Sequence, residues 1–206
     1  QTIENHRIPV PRDYLLGTRK NAAGWDLSHP KHQAHFQKGL DEAAQQSYLT
    51  APIIAGKEIS GDQQPVSNPA HHSEIVGFTI AANKELVDSA MESAHKAFGS
   101  WSRRPAAERA AALESAANLL EQRAGTFHYL AVKEAGKTWS DAVDEVREAV
   151  DFCRYYAAQT MAQTMDDRSA LGVVICISPW NFPLAIFMGQ VTAALAAGNS
   201  VVAKPA

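Results

Sequence analysis

Several features that mark secreted, membrane-spanning or nucleic-acid-binding proteins are missing from this chain of 206 residues. Its two cysteines are too few for a disulfide framework. A formal net charge of −3 provides no basic surface for nucleic acid or anionic lipid. No uninterrupted apolar run reaches the roughly 18 residues of a membrane span, and the start lacks the pattern of a secretion signal. These absences favour a cytoplasmic protein. The missing initiating Met leads us to expect that the natural protein extends beyond both ends.

The first 48 residues differ in composition from the remainder. They are polar, with scattered proline, glycine and histidine and no sustained period. We predict a linker or N-terminal extension over 1–48, with at most a short helix around 32–46. Residues 49–206 have the pattern of a folded domain. A turn signal between two apolar pairs predicts a hairpin over 52–59, and residues 74–81 predict another strand.

The period then changes to that of helices. Asn83 is a suitable N-cap for a first helix with an apolar stripe. Pro105 opens a second helix, and Gly125 is the residue type that stops one. A shorter third helix follows. A long fourth helix is predicted from Ser140 to beyond Tyr156.

Two apolar strands with a helix between them follow. The runs 172–177 and 200–206 flank a helix that begins near Pro183, since proline suits the first helical turn. Ligands of such sheets bind beyond the carboxyl ends of the strands, where Asn181 and Lys204 would lie. The fold class is therefore α/β, a helical first half leading into a parallel sheet. Because that sheet is incomplete, we expect its remaining strands to follow Ala206.

Several segments of the amino-acid sequence resemble motifs of a known protein family. Residues 177–183 read I-S-P-W-N-F-P and residues 198–206 read G-N-S-V-V-A-K-P-A, and they resemble the aldehyde dehydrogenase superfamily. The segments 134–138 and 145–156 resemble its glutamate semialdehyde dehydrogenases. The R-K-N-A-A-G-W-D-L stretch resembles the linker of the bacterial bifunctional proline utilisation A flavoenzymes. The resemblance implies the N-terminal part of an aldehyde dehydrogenase fold with a Rossmann-like sheet.

Asn181 has two interpretations. Asn is among the best N-cap residues, so it suits the start of the predicted helix. In the superfamily the matching Asn lies at the oxyanion position, where a fixed neutral donor stabilises the charge that forms on the aldehyde oxygen. The resemblance favours this second role and makes Asn181 the candidate catalytic residue.

The cofactor prediction depends on the resemblance, because the chain lacks the G-x-G-x-x-G loop of the common dinucleotide-binding fold. Aldehyde dehydrogenases bind NAD on a Rossmann variant without that loop. By residue type alone, Lys204 is an ordinary solvated strand end; the matching Lys of the family binds the adenosine ribose. FAD would belong only to a preceding domain. The family segment that lines NAD matches Ile177, Ser178, Pro179 and Trp180.

Glu148 is the candidate substrate residue. It lies nearly opposite the apolar stripe of the long helix, which ordinarily indicates a solvated face. Because Phe152 and Tyr155 share its side, we predict a half-buried carboxylate. In the glutamate semialdehyde dehydrogenases the matching Glu lies beside the aldehyde channel.

Neither cysteine is predicted to be a nucleophile, because both lie in apolar patterns typical of core residues. In the superfamily the nucleophilic Cys and the general-base Glu follow the K-P-A segment. Neither is among these 206 residues, so we expect the chain alone to be inactive. Three histidines spaced by three favour a solvated segment over a metal site; they are His29, His32 and His35.

The predicted function of the complete protein is NAD-dependent oxidation of L-glutamate γ-semialdehyde, the open form of 1-pyrroline-5-carboxylate, to glutamate in proline catabolism. Its partners would be the small aldehyde substrate and further copies of itself as a homo-oligomer, with no nucleic acid bound by this segment. Two alternatives stay open. One is a different aldehyde dehydrogenase, for example for succinate semialdehyde, and the other is a non-catalytic interaction domain built on a truncated dehydrogenase scaffold.

Overall fold

A computed structural model describes residues 13–14, 19–162 and 169–206. Within these ranges the helices are α1 (Pro30–Ala43), α2 (Lys84–Trp101), α3 (Ala106–Gln122), α4 (Ala124–Lys133), α5 (Trp139–Ala162) and α6 (Ala185–Ala196). The strands are β1 (Leu49–Thr50), β2 (Ile53–Ile54), β3 (Lys57–Glu58), β4 (Gln63–Asn68), β5 (His71–Ile80), β6 (Val173–Ile177) and β7 (Ser200–Lys204). None of the helices within these ranges combines the length and apolarity needed to cross a bilayer.

The 24-residue helix α5 is the centre of the core, because α3, α4 and α6 all pack against it. The contact surfaces are rich in alanine and valine, and small side chains allow the helices to approach closely. The long helix predicted from Ser140 is thereby confirmed. Its fully buried residues include Ala142, Ala149, Val150 and Cys153.

The short strands form a hairpin and a separate three-stranded sheet. β2 pairs antiparallel with β3 as predicted. Ala55 and Gly56 both have positive φ, 50° and 76°, which a type I′ turn requires. β5 pairs antiparallel with β4 and parallel with β1. β4 was not predicted. Its polar residues and Pro65 suit the edge position that it takes.

Gly125 does not stop a helix, so that prediction is wrong. α3 ends at Gln122, and Gly125 lies in the first turn of α4. A Cβ added at Gly125 would lie 3.1 Å from both the Cα and the carbonyl oxygen of Gly39. The glycine therefore serves the close crossing of α4 and α1.

The segment preceding β1 contributes to the core. α1 overlaps the helix predicted around 32–46 and packs against α4. Phe36 is fully buried among the rings of Trp25, His128 and Trp139. The domain boundary at residue 48 stays a prediction.

A second set of contacts ties residues 19–23 to α3 and α5. The buried guanidinium of Arg154 donates to the Asn21 carbonyl at 3.2 Å and to both carboxylate oxygens of Glu121 at 3.1 and 2.7 Å. The Asp151 carboxylate accepts the Ala22 backbone N–H at 2.8 Å. This segment is thus held by charge-assisted hydrogen bonds as well as by aromatic packing.

His128 is the buried titratable group of the aromatic cluster. Its imidazole is 3% exposed, and no described residue pairs with its Nδ1. Burial lowers the pKa of His128 to about 4. At neutral pH the ring is therefore uncharged.

The predicted βαβ unit is present. β6 and β7 are parallel, α6 connects them, and α2 and α6 both pack against them. In the register of this pair Ile177 faces Lys204. The carboxyl ends of both strands therefore lie at the same edge of the sheet.

Candidate active site at the carboxyl ends of β6 and β7

The loop 178–184 leaves β6 at this edge and leads to α6. The Ser178 N–H donates to the Lys204 carbonyl at 3.0 Å, which joins the start of the loop to the end of β7. Ile177 is 61% exposed and Trp180 is 83% exposed. An open apolar surface thus lies beside the exposed Lys204.

Ser178 is the inward-facing residue of this loop. It is buried, and its Oγ lies 3.2 Å from the Pro179 carbonyl oxygen and 3.3 Å from that of Pro183. Its side chain therefore spans the base of the loop. The cofactor contacts assigned to Ser178 and Pro179 stay predictions.

Asn181 lies near the apex of the loop and is exposed. Its carboxamide makes no hydrogen bond to any residue in the described ranges. α6 begins at Ala185 with Leu184 at the N-cap position, so the N-cap interpretation of Asn181 is wrong. The physical reason is that three residues separate Asn181 from the helix start at Ala185, and another side chain caps α6. Among the described residues nothing occupies the amide, so it can donate to a ligand.

The cap of α6 comes from α5. Glu145 Oε2 accepts the backbone N–H of Leu184 at 3.1 Å and that of Ala185 at 2.8 Å. Its other oxygen, Oε1, lies 3.0 Å from the Lys137 ammonium. That ammonium also lies 4.8 Å from the centroid of the Phe182 ring. One buried carboxylate thus joins the loop after α4, the start of α5 and the start of α6.

Sequence reasoning missed Glu145. The available signal is its place on α5 three residues after Ala142 and four before Ala149, both fully buried. An acidic residue between two alanines on one helix face lies against a neighbouring element. Since that neighbour is distant in sequence, the acceptor role requires the structure.

The described residues contain no group of His, Cys, Asp or Glu side chains placed to hold a metal ion. His32 Nδ1 instead accepts the Asp26 N–H at 3.0 Å, and His29 accepts the Lys31 N–H at 3.3 Å. The histidines therefore serve the local structure around the start of α1.

Comparison with known proteins identifies the superfamily. A sequence profile described as "Aldehyde dehydrogenase family" matches residues 57–206. The chain belongs to the aldehyde dehydrogenase family. The predicted α/β class is confirmed, with the mixed helices and small sheets of a partial aldehyde dehydrogenase fold.

Relatives within the aldehyde dehydrogenase family include two named enzymes. The bifunctional protein PutA of Escherichia coli (strain K12) is 46% identical over 205 residues, which cover 99% of this chain and 16% of that protein. The 1-pyrroline-5-carboxylate dehydrogenase of Geobacillus sp. (strain WCH70) is 41% identical over 196 residues, which cover 88% of this chain and 38% of that protein. The chain thus spans well under half the length of either relative.

A solved member of the aldehyde dehydrogenase family has a similar structure. The 1-pyrroline-5-carboxylate dehydrogenase from Thermus with bound NAD superposes with a TM-score of 0.82 at 31% identity. The match covers 91% of this chain and 39% of that one. The likeness includes the fold as well as the sequence.

Glu148 is exposed, so its predicted half-burial is wrong. The Phe152 ring turns towards α6, where a Cβ added at Gly189 would lie 3.0 Å from it. The Tyr155 ring is 43% exposed and contacts Tyr156 and Arg19 instead. Partial desolvation raises the pKa of Glu148, and the charges of Glu145 and Asp144 add to this effect. Its substrate role stays a prediction.

Both thiols of this aldehyde dehydrogenase chain lie in the core, as predicted. Cys153 is fully buried and Cys176 is 3% exposed. Burial raises the pKa of the Cys153 thiol to about 11 and also raises the pKa of Cys176. Because the thiolate is the nucleophile, neither residue suits attack on an aldehyde at neutral pH.

Proposed function

We propose that the protein carrying this chain oxidises L-glutamate γ-semialdehyde to glutamate with NAD, in proline catabolism. The observation that carries the proposal is the open carboxyl edge of β6 and β7, which presents the exposed Lys204 and an Asn181 carboxamide without a hydrogen bond to any described residue. The identity to 1-pyrroline-5-carboxylate dehydrogenases and to PutA supports this substrate class. The nucleophilic Cys and the general-base Glu would come from sequence that follows the K-P-A segment.

Asn181 is proposed to act on the oxygen of the aldehyde. When a thiolate adds to the aldehyde carbon, the carbonyl π electrons move to the oxygen, which becomes an oxyanion. A carboxamide N–H donates to that oxyanion more strongly than to the uncharged carbonyl, and this difference lowers the barrier. Because the Asn181 amide has no partner among the described residues, it is available for this bond.

NAD is the proposed cofactor, and when bound it supplies the hydride acceptor. Lys204 is exposed, and its ammonium makes no hydrogen bond or ion pair to a residue in the described ranges. An exposed ammonium at the carboxyl edge of a parallel sheet suits the two hydroxyls of a ribose. Ile177 and Trp180 offer apolar surface beside it. The NAD-bound Thermus relative supports the same assignment.

Glu148 is proposed to lie beside the substrate. L-Glutamate γ-semialdehyde carries an α-ammonium group, which an exposed carboxylate attracts. We also propose that the complete protein is cytoplasmic and forms a homo-oligomer. The two buried thiols take no part in the chemistry.

The test uses protein expressed from the complete gene. NADH formation is followed with L-glutamate γ-semialdehyde and, separately, with succinate semialdehyde. We expect kcat/KM to be at least about tenfold higher for L-glutamate γ-semialdehyde. A pocket that binds the α-ammonium group of this substrate rejects succinate semialdehyde, which lacks that group. The reverse order would assign a different aldehyde dehydrogenase. NAD binding without turnover of either aldehyde would assign a non-catalytic scaffold.

A further inference from the structure

We infer that Glu145 and Lys137 are positioning residues for Asn181. The inference rests on the proposed oxyanion role of Asn181 and adds to it the side chains that hold the donor in place. Neither residue reaches the reacting atoms; both act through the loop 178–184.

The Glu145 carboxylate is a fixed acceptor. Its side chain is 1% exposed, and Oε2 accepts two successive N–H groups at the start of α6. An anion at a helix N-terminus interacts favourably with the helix dipole. Because one oxygen accepts both hydrogen bonds, Leu184 and Ala185 are fixed relative to α5.

Lys137 completes the charge balance and reaches the loop itself. Its ammonium, on a side chain 13% exposed, lies 3.0 Å from Glu145 Oε1. The same ammonium lies over the face of the Phe182 ring, at a distance typical of a cation–π contact. Phe182 is the immediate neighbour of Asn181, so the pair holds the loop on its C-terminal side.

The N-terminal side of the loop is held separately. Ser178 is bonded to the end of β7 through its backbone and spans the loop base through its hydroxyl. Between these two anchors Asn181 makes no hydrogen bond to a described residue. The backbone position of Asn181 is therefore set by the two anchors, and of these the Glu145–Lys137 pair is the one that depends on charge.

A helix N-terminus can be capped without the desolvation free energy of a buried ion pair. A Ser, Thr, Asp or Asn at the N-cap position satisfies the first N–H groups locally and keeps its polar atoms near water. Here Leu184 occupies that position, and a carboxylate from another helix is buried, with an ammonium beside it, to do the same work. Desolvating both charges opposes folding. Unlike a local cap, this arrangement fixes the position of the loop 178–184 relative to α5.

The experiment compares Glu145→Gln and Lys137→Met in protein from the complete gene. We expect kcat for aldehyde oxidation to fall about 10- to 100-fold, because small displacements of a catalytic group cost rates of that size. KM for the aldehyde and Kd for NAD should change less than about threefold, since the lost contact acts only in the transition state. Hydrogen exchange at the Leu184 and Ala185 amides should accelerate.

Glu74→Gln is the matched control. Glu74 forms a 2.9 Å ion pair with Lys133 on the face that joins β5 to α4. Its loss should leave kcat unchanged. Lys137→Arg retains the charge and should recover most of the activity lost in Lys137→Met, which separates positioning from failure to fold. Faster amide exchange with an unchanged kcat would overturn the inference.

A double variant separates this inference from the proposed function. If Glu145 acts through Asn181, then Glu145→Gln combined with Asn181→Ala should lose no more activity than Asn181→Ala alone. Multiplicative losses would overturn the positioning role. A wild-type kcat in Asn181→Ala would instead remove the oxyanion role from the proposed function.

Discussion

The Ser178 N–H donates to the Lys204 carbonyl oxygen at 3.0 Å, so the loop that carries Asn181 leaves the sheet beside the end of the neighbouring strand. Asn181, the proposed catalytic residue, and Lys204, the proposed cofactor residue, therefore lie in segments that one hydrogen bond joins. The tasks proposed for their side chains are separate, one on the aldehyde oxygen and one on the ribose. Variants at the two positions should consequently affect different kinetic constants.

Asn181→Ala should lower kcat by about 10²- to 10³-fold, the usual cost of removing one oxyanion donor. Thermal stability should be unchanged, because the side chain is exposed and has no partner in the described ranges. Steady-state kinetics of protein from the complete gene measures the first effect and a thermal melt the second. Asn83→Ala is the control: its carboxamide caps α2, so it should lower stability by about 1 kcal/mol and leave kcat intact. An effect of Asn181→Ala on KM alone would contradict the assignment.

Lys204→Met should raise the Kd for NAD about tenfold or more, because hydrogen bonds from a charged donor to the ribose are lost. The effect on kcat at saturating NAD should be small. Isothermal titration calorimetry with NAD gives Kd directly. Lys84→Met removes another exposed lysine, which pairs with Asp88 on α2, and should leave Kd as it is. Equal affinities for wild type and Lys204→Met would exclude the ribose contact.

Iodoacetamide should leave Cys153 and Cys176 unmodified in the folded protein at pH 8. Both thiols are buried, and burial raises the pKa of each, so the reactive thiolate is scarce and enclosed. After denaturation both should react. Peptide mapping by mass spectrometry gives the modified fraction at each site. Rapid native modification of either thiol would show that it is accessible to a substrate.

His128 should make the protein less stable as the pH falls. The folded pKa is about 4, below the ordinary value of 6.5. The unfolded chain therefore binds the proton first, and stability is lost as the pH falls from about 6.5 to about 4. The loss between pH 8 and pH 5 is on the order of 2 kcal/mol. Comparing melts of wild type and His128→Leu at the two pH values isolates this contribution. Identical pH dependence in both proteins would contradict it.

Gly125→Ala should destabilise the protein by about 1–3 kcal/mol, since the new methyl group meets the backbone of Gly39 and the helices must separate. Gly99→Ala is the matched control on α2. Its added Cβ would be no closer than 3.5 Å to the Arg103 side chain, so helix propensity should dominate and stabilise by about 0.5–1 kcal/mol. Denaturant unfolding measures both. Equal effects would show that the α1–α4 crossing is not tight.

Local signals were sufficient for much of the fold. The two-residue turn of the β2–β3 hairpin and the Asn83 cap of α2 follow from residue types within a few positions of each other. The length of α5 and the βαβ unit follow from sustained periodicity. The hairpin and the cap have stabilising partners close in sequence, and a sustained period identifies a helix or strand before its packing partners are known.

The errors share a dependence on distant partners. Gly125 serves the close approach of Gly39 on another helix. Glu145 and Glu148 are three residues apart on α5, yet the first is buried under α6 and the second is exposed. Periodicity assigns faces to a helix but does not say which neighbour covers each face.

The Arg154 guanidinium has a practical consequence for shortening the protein. It is buried, and one of its acceptors is the carbonyl of Asn21. A polypeptide that began at residue 49 would lose that acceptor together with the Trp25 and Phe36 rings. The Arg154 guanidinium and the apolar surface that these rings cover would then be exposed to water. Anyone trimming the gene for crystals or assays should therefore cut ahead of residue 19.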